Sequence, residues 1–321
     1  MIHGEVAARM ACPRDHRGLE RSGTALVCDR GHGYPVLDGL PIFVLEEDEP
    51  THAACVDALR RSVDAGGSPA PEAAGGIDPY VQRMVAATCG RMYKPLIGKL
   101  THYPIPELRL PPASGASLLD LGCGWGRWSI AAARTGYRSV GLDPSLDAIR
   151  AARSVTGQLG LDAGYVVGDA RSLPFGDDTF DVVFSYSVLQ HFSKQDVRAV
   201  LSEAKRILKP GGTVLVELPN VFGALNVAQQ LQRRFREPTG FDVRYWRPSE
   251  MQATFEELIG PTTISVDSYL FINGQPADRG LLPARYQALI AVSEGLRSLS
   301  RRASFLVGIA DSLYVQSVKA A

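Results

Sequence analysis

Leu118-Leu119-Asp120-Leu121-Gly122-Cys123-Gly124-Trp125-Gly126-Arg127-Trp128 is an apolar run that meets an acidic residue and then three glycines spaced two apart. An alanine-rich stretch, Ser129 to Arg134, follows with helical character. The pattern predicts a strand, a tight turn and the start of a helix. Glycines at such a turn let the backbone adopt positive φ and approach a ligand without a Cβ in the way. Dinucleotide folds and phosphate loops use similar turns, so the elements downstream must discriminate.

Ser139-Val140-Gly141-Leu142-Asp143-Pro144-Ser145 predicts a second strand ending in Asp143, 23 residues after Asp120. A carboxylate there can accept both hydroxyls of a ribose. Tyr165-Val166-Val167-Gly168-Asp169-Ala170 predicts a third strand ending in Asp169, and Phe180 to Tyr186 a buried fourth. Lys209-Pro210-Gly211-Gly212 predicts a turn into a fifth strand, Thr213 to Glu217. Thr262 to Ile272 and Ser312 to Val318 predict strands six and seven. Strands alternating with helical segments imply a parallel sheet with helices on both faces. Ligands of such sheets bind beyond the carboxyl ends of the strands, where the three carboxylates fall.

From Leu118 to Glu217 the chain resembles a class I S-adenosylmethionine-dependent methyltransferase of the small-molecule type. The resemblance implies an α/β fold, a Rossmann-like seven-stranded methyltransferase sheet, with S-adenosyl-L-methionine as cofactor. By position, it implies that the turn from Asp120 through Gly122, Cys123, Gly124 and Gly126 cradles the methionine part. Asp143, with Pro144 beside it, would hold the ribose hydroxyls. Asp169 would accept from the adenine amino group beside Ala170, and Ser185 would complete the cofactor shell. A nicotinamide dehydrogenase is the alternative. The turn lacks the second glycine spacing of that class, and no Gly-Lys-Ser/Thr phosphate loop is present.

Charge adds an exclusion. The 34 basic and 34 acidic residues cancel, which argues against a dominant nucleic-acid footprint. No run of eighteen apolar residues predicts a transmembrane helix, and the N-terminus has no basic, apolar signal pattern. Five scattered cysteines suggest no disulfide framework, so a reducing cytoplasm is expected.

Residues 1–49 read as a separate small ribbon domain. Cys12-Pro13-Arg14-Asp15-His16 and Cys28-Asp29-Arg30-Gly31-His32 are two knuckles with Cys and His four positions apart. Cys12, His16, Cys28 and His32 together offer four ligands suited to tetrahedral zinc. Gly33 to Val44 then reads as a hairpin. The segment resembles the small zinc-ribbon activator subunit of tRNA methyltransferases and the N-terminal zinc segment of rRNA guanine-N1 methyltransferases. It departs from both where Asp15 stands in place of the second cysteine of the first knuckle. A metal-free ribbon held by its apolar hairpin is the alternative. Residues 50–76, rich in Gly and Pro toward their end, read as a flexible linker. Residues 77–321 then form the methyltransferase domain. A helical pattern over 78–100 carries Tyr80, Met84 and Tyr93.

Ser185-Tyr186-Ser187-Val188-Leu189-Gln190-His191-Phe192 follows the fourth strand and is where an acceptor is expected. Methyl transfer needs a positioned nucleophile and, for some acceptors, a base. His191 is the candidate base, because imidazole titrates near neutrality, and capping the next helix is its structural alternative. Tyr186 at the strand end is a second candidate catalytic residue, and Asn220 is expected to face the site. Arg233 to Arg236 and Phe241 to Pro248 mix cations and aromatics, as a substrate pocket or a solvated helix end would. About forty residues separate strands six and seven where a short hairpin is usual, so a helical insertion is expected at about 274–310. Its Leu289, Val292, Leu296 and Leu299 recur at helical spacing with arginines nearby, suited to core packing, a homodimer or a membrane surface. The expected activity is methyl transfer to a small-molecule or glycan acceptor at oxygen. An RNA base methyltransferase and a non-catalytic binding protein are the alternatives.

Overall fold

The computed structural model describes residues 4–45, 53–64, 76–270 and 274–320. The N-terminal segment holds α1 (Gly4–Ala7), β1 (Leu19–Ser22), β2 (Ala25–Cys28), β3 (Gly33–Leu37) and β4 (Leu40–Phe43). Two helices, α2 (Ala53–Asp64) and α3 (Pro79–Thr88), precede the alternating part. That part runs β5 (Ser117–Leu121), α4 (Arg127–Arg134), β6 (Arg138–Asp143), α5 (Leu146–Gln158), β7 (Gly164–Gly168), β8 (Phe180–Ser185), α6 (Lys194–Ile207) and β9 (Leu208–Pro219). Then come α7 (Ala224–Gln232), α8 (Pro248–Leu258), β10 (Thr262–Ser268), α9 (Ala284–Ser300) and β11 (Ser312–Val318).

Every residue of β5 and β7 is buried, as parallel strands covered on both faces require. Alternation along β5 sorts the two layers. Leu118 packs with Ile130 and Val155 of α4 and α5, while Leu119 and Leu121 pack with Val197 and Val200 of α6. Helix starts follow the side chains available: Ser145 accepts from Ala148 N, and Ser193 from Asp196 N. The seven expected strands lie in the order β7-β6-β5-β8-β9-β11-β10, parallel from β7 through β9 and antiparallel across β11 and β10. Order reverses at β5, so a crevice opens beyond the carboxyl ends of β5 and its neighbours.

Four expectations change. Lys209 to Gly212 lies inside β9 rather than in a turn before it, with a register shift between Phe180 and Val182 absorbing the extra residues. The sixth strand, β10, ends at Ser268, short of Ile272, and residues 271–273 lie outside the described residues. The ribbon is joined to the sheet. β4 pairs in parallel with β7, Ile42 opposite Val167 and Phe43 opposite Gly168, so the sheet has eleven strands among the described residues. Asp38 and Gly39 both take positive φ, 52° and 76°, the conformation of the two-residue hairpin turn that links β3 to β4. Arg150 of α5 clamps that turn through Asp38 Oδ2 at 2.6 Å.

The segment expected as a flexible linker holds the twelve-residue α2, whose Leu59 is buried with Leu40, Ile42 and Ile149. Residues 46–52 and 65–75, which carry the acidic run and the Gly/Pro-rich part, lie outside the described residues. The insertion contains α9 flanked by 3-10 turns at Pro276–Leu281 and Ser304–Ile309.

Candidate cofactor and acceptor site

A cavity of about 270 Å³ opens at the strand-order reversal. One half is the glycine turn and the strand tips: Gly122, Cys123, Gly124, Asp143, Pro144, Asp169 and Ala170 line it. Gly122 sits at φ 72°, and a Cβ there would collide with Val188, so the turn and the segment after β8 close on each other. Asp143 accepts from Gly124 N and Ser145 N, both at 2.9 Å, which holds the carboxylate at the turn. Asp169 is gripped by Arg171, whose Nε and backbone N donate to Oδ1 and whose Nη2 donates to Oδ2. A carboxylate oxygen can accept more than one hydrogen bond.

Three expected cofactor residues stand behind the wall rather than on it. Asp120 is buried against α4, accepting from Ser129 Oγ at 2.7 Å, and burial pushes its carboxyl up to about 7. Gly126 opens α4 at φ 81° where a Cβ would press on Tyr165 Oη at 2.6 Å. Ser185 is buried and donates to Leu121 O at 3.0 Å. Each shapes the turn from outside the cavity.

The other half is aromatic and contains the acceptor candidates. Trp128, Tyr186, Phe192 and Phe241 line it with Ser187, Gln190 and His191. His191 stacks on Phe241 at 3.8 Å between ring centres. Its Nδ1 lies 2.8 Å from the Phe241 carbonyl, so that nitrogen carries the proton, and Nε2 accepts from Gln190 Nε2 at 3.2 Å. The hydroxyl of Tyr186 points out of the cavity, donating to Asp267 Oδ2 at 2.9 Å and accepting from Gln275 Nε2. Asn220 does not face the site. It is buried and donates to Gly308 O and Ala310 O, pinning the insertion.

Sequence reasoning missed four contributors. Val44, just past β4, lines the cavity, so the ribbon supplies part of its wall. Thr88 of α3 lines it too and accepts from Trp125 Nε1 at 3.0 Å, which holds that helix over the glycine turn. Arg127 lines it with its Nη2 3.1 Å from buried Asp278 of the insertion, and its Nε is buried without a hydrogen-bond partner. Tyr93 donates to the same Asp278 oxygen. The fourth is a buried acid behind Ser187. Glu217 Oε2 accepts from Ser187 N at 2.8 Å and Ser187 Oγ at 2.9 Å, and Ser312 joins Glu217 to Asp267. Burial and the neighbouring Asp267 push the Glu217 carboxyl up to about 7. Arg109 Nη1 lies 3.1 Å from Asp267 Oδ1 and donates its hydrogen bond to the Asp267 carbonyl. These partners are 30 to 158 positions apart in sequence, so no local motif reveals them.

A second cluster lies in the ribbon, and it corrects the expected ligand set. Donor atoms of Cys12, Asp15, Cys28 and His32 all fall within 4.8 Å of one another. His32 Nδ1 is 3.3 Å from Cys12 Sγ, 3.4 Å from Cys28 Sγ and 3.2 Å from Asp15 Oδ2, and Cys28 Sγ is 3.7 Å from Asp15 Oδ2. Those separations match the edges of a tetrahedron built on zinc bonds of about 2.0–2.3 Å. His16 is not in the cluster. It takes φ 58°, which turns its ring to Glu203 at 3.7 Å, and Asp15 occupies the place of the missing cysteine.

The chain is similar to known methyltransferases. A methyltransferase-domain family model matches residues 118–212. An uncharacterized methyltransferase of Synechocystis is 37% identical over 116 residues, 36% of this chain and 52% of that protein. A ubiquinone biosynthesis O-methyltransferase of Brucella ovis is 32% identical over 151 residues, 46% of this chain and 60% of that protein. The chain thus spans roughly half to three fifths of these relatives. A solved phosphoethanolamine N-methyltransferase 2 of Haemonchus contortus superposes with a TM-score of 0.49 at 18% identity, covering 76% of this chain and 60% of that one. The matched segment, residues 118–212, is a methyltransferase domain. Among the described residues no helix is long and apolar enough to cross a membrane.

Proposed function

We propose that the protein transfers the methyl group of S-adenosylmethionine to an oxygen of a small-molecule acceptor. The cavity carries this reading: its polar half is the glycine turn with Asp143 and Asp169, and its aromatic half holds Ser187, Gln190 and His191. Asp143 would take the ribose hydroxyls, and Asp169 with Ala170 the adenine edge. Gly122 to Gly124 would cradle the methionine part, with the open Nε of Arg127 offered to its carboxylate. The cofactor supplies an activated methyl on a sulfonium. The protein's work is therefore to dock an acceptor in line and to accept its proton. Relatives named O-methyltransferases support oxygen as the acceptor atom. The cancelling charges of the chain favour a small acceptor over RNA.

Calorimetry tests the cofactor assignment. Wild type should bind S-adenosylmethionine and its demethylated product. Asp143→Ala should lose about 1.5–3 kcal/mol of that affinity, the scale of a hydrogen bond to a charged group. Tight binding of a nicotinamide dinucleotide instead would reject it. Labelled methyl transfer into metabolite, glycan and RNA fractions then separates the acceptor classes.

In the ribbon, Cys12, Asp15, Cys28 and His32 would hold one structural zinc. The donor set of two thiolates, one imidazole and one carboxylate suits a closed tetrahedral site.

A further inference from the structure

The chain is charge-neutral as a whole, yet 222–236 and 295–310 together carry six arginines and no Asp or Glu. The two segments meet where α7 begins and the insertion ends. Asn220 donates to Gly308 O and Ala310 O, and Leu225 N at the start of α7 donates to Asp311 Oδ1 at 2.9 Å. They also display apolar side chains rather than burying them. Phe305 is 72% exposed, Phe235 64% and Leu231 58%, with Phe222, Leu299 and Ile309 at half or more. Of the arginines, Arg297 is paired with Glu294, whereas Arg234, Arg236, Arg301 and Arg302 are exposed with no acidic partner among the described residues. Large apolar groups standing in water beside unpaired cations make up the composition of an interfacial membrane face.

The face reaches the cavity. Arg233 of the turn after α7 donates to Val243 O at 3.0 Å, and Tyr245 donates to Gln229 of α7 at 2.8 Å. Both contacts anchor the loop that carries Phe241, itself half exposed at the cavity wall. We propose that α7 and the end of the insertion seat the protein on an anionic lipid surface, with the mouth of the cavity at the edge of that contact. A second copy of this chain is a poorer occupant, because like charges would face each other across a two-fold contact.

The test is cosedimentation of the whole protein, without cofactor, so it stands independently of the methyltransferase reading. Vesicles of equal phosphatidylglycerol and phosphatidylcholine are compared with phosphatidylcholine alone at low salt. The protein should partition onto the anionic vesicles and be released as ionic strength rises. Arg301→Gln combined with Arg302→Gln should weaken partitioning about 25-fold, since each cation near an anionic surface contributes about fivefold. Phe305→Ser should weaken it several-fold, with the thermal midpoint of both variants unchanged. Equal binding to both vesicle types, no binding, or undiminished binding of both variants overturns the proposal. So does light scattering that shows a wild-type dimer turned to monomer by Phe305→Ser.

Discussion

His191 has both ring nitrogens engaged, one donating to the Phe241 carbonyl and one accepting from Gln190. A lone pair already occupied makes it an orienting group. His191→Ala should therefore slow turnover by less than the 10²–10⁴-fold expected for loss of a general base, and leave the pH profile in place. Rates across pH with a confirmed acceptor decide it, and loss in the variant of the fall in rate at acid pH would restore His191 as the base. Glu217 makes a second residue-level prediction. Its carboxyl is held near 7, above the ordinary value of 4.5, by burial and Asp267. The folded state then holds a proton that the unfolded chain gives up, so stability falls as pH rises from about 4.5 to 7. Glu217→Gln should flatten that fall, on the order of 2–3 kcal/mol, in denaturant titrations at pH 5 and pH 8. Parallel curves for the two proteins would place the proton elsewhere. Asp143 and Asp169 were legible in sequence because a strand-end carboxylate is a local pattern. Glu217, Ser187 and Asp267 were not, because three distant elements bring them together.

The ribbon shows what an element adds to its residues. Spacing alone pointed to His16, since Cys and His four apart occur in both knuckles. The first knuckle, however, turns through a left-handed residue at His16, and that turn presents Asp15 instead. Purified protein should carry about one zinc per chain, the stoichiometry of a closed four-ligand site. Asp15→Ala should lose the metal, and His16→Ala should keep it, by elemental mass spectrometry after purification without chelator. Metal retained in the first variant and lost in the second would reinstate the sequence-based set. The register of β4 on β7 was beyond sequence reading, because a four-residue apolar strand can add to any free edge. The helix α2 was likewise hidden, since its segment is mostly polar and among the described side chains only Leu59 and Val63 are seen to pack on the core.

For the molecule as a whole, the pairing of β4 with β7 decides whether the N-terminal segment is an appendage or a part of the fold. Phe43 is fully buried, and its ring packs against Tyr34 of the ribbon at 5.1 Å between centres. The same core cluster contains Cys12 and Cys28 from the ribbon, Val166 from β7, and Ala170 and Phe175 from the segment between β7 and β8. Bonds from Ala11 N to Pro174 O and from Gly176 N to Arg9 O fasten the ribbon beside them. One continuous core unfolds as one unit when its parts cannot bury their surfaces alone. A ribbon of four short strands has too little core to stand alone without metal or neighbour. Phe43→Ala should therefore cost about 3–5 kcal/mol, the range for a buried phenylalanine, and lower the single transition of the entire chain. Scanning calorimetry with the calorimetric and van't Hoff enthalpies compared is the measurement. A small early transition that moves alone in the variant, with the main one in place, would show that the ribbon folds independently of the methyltransferase sheet.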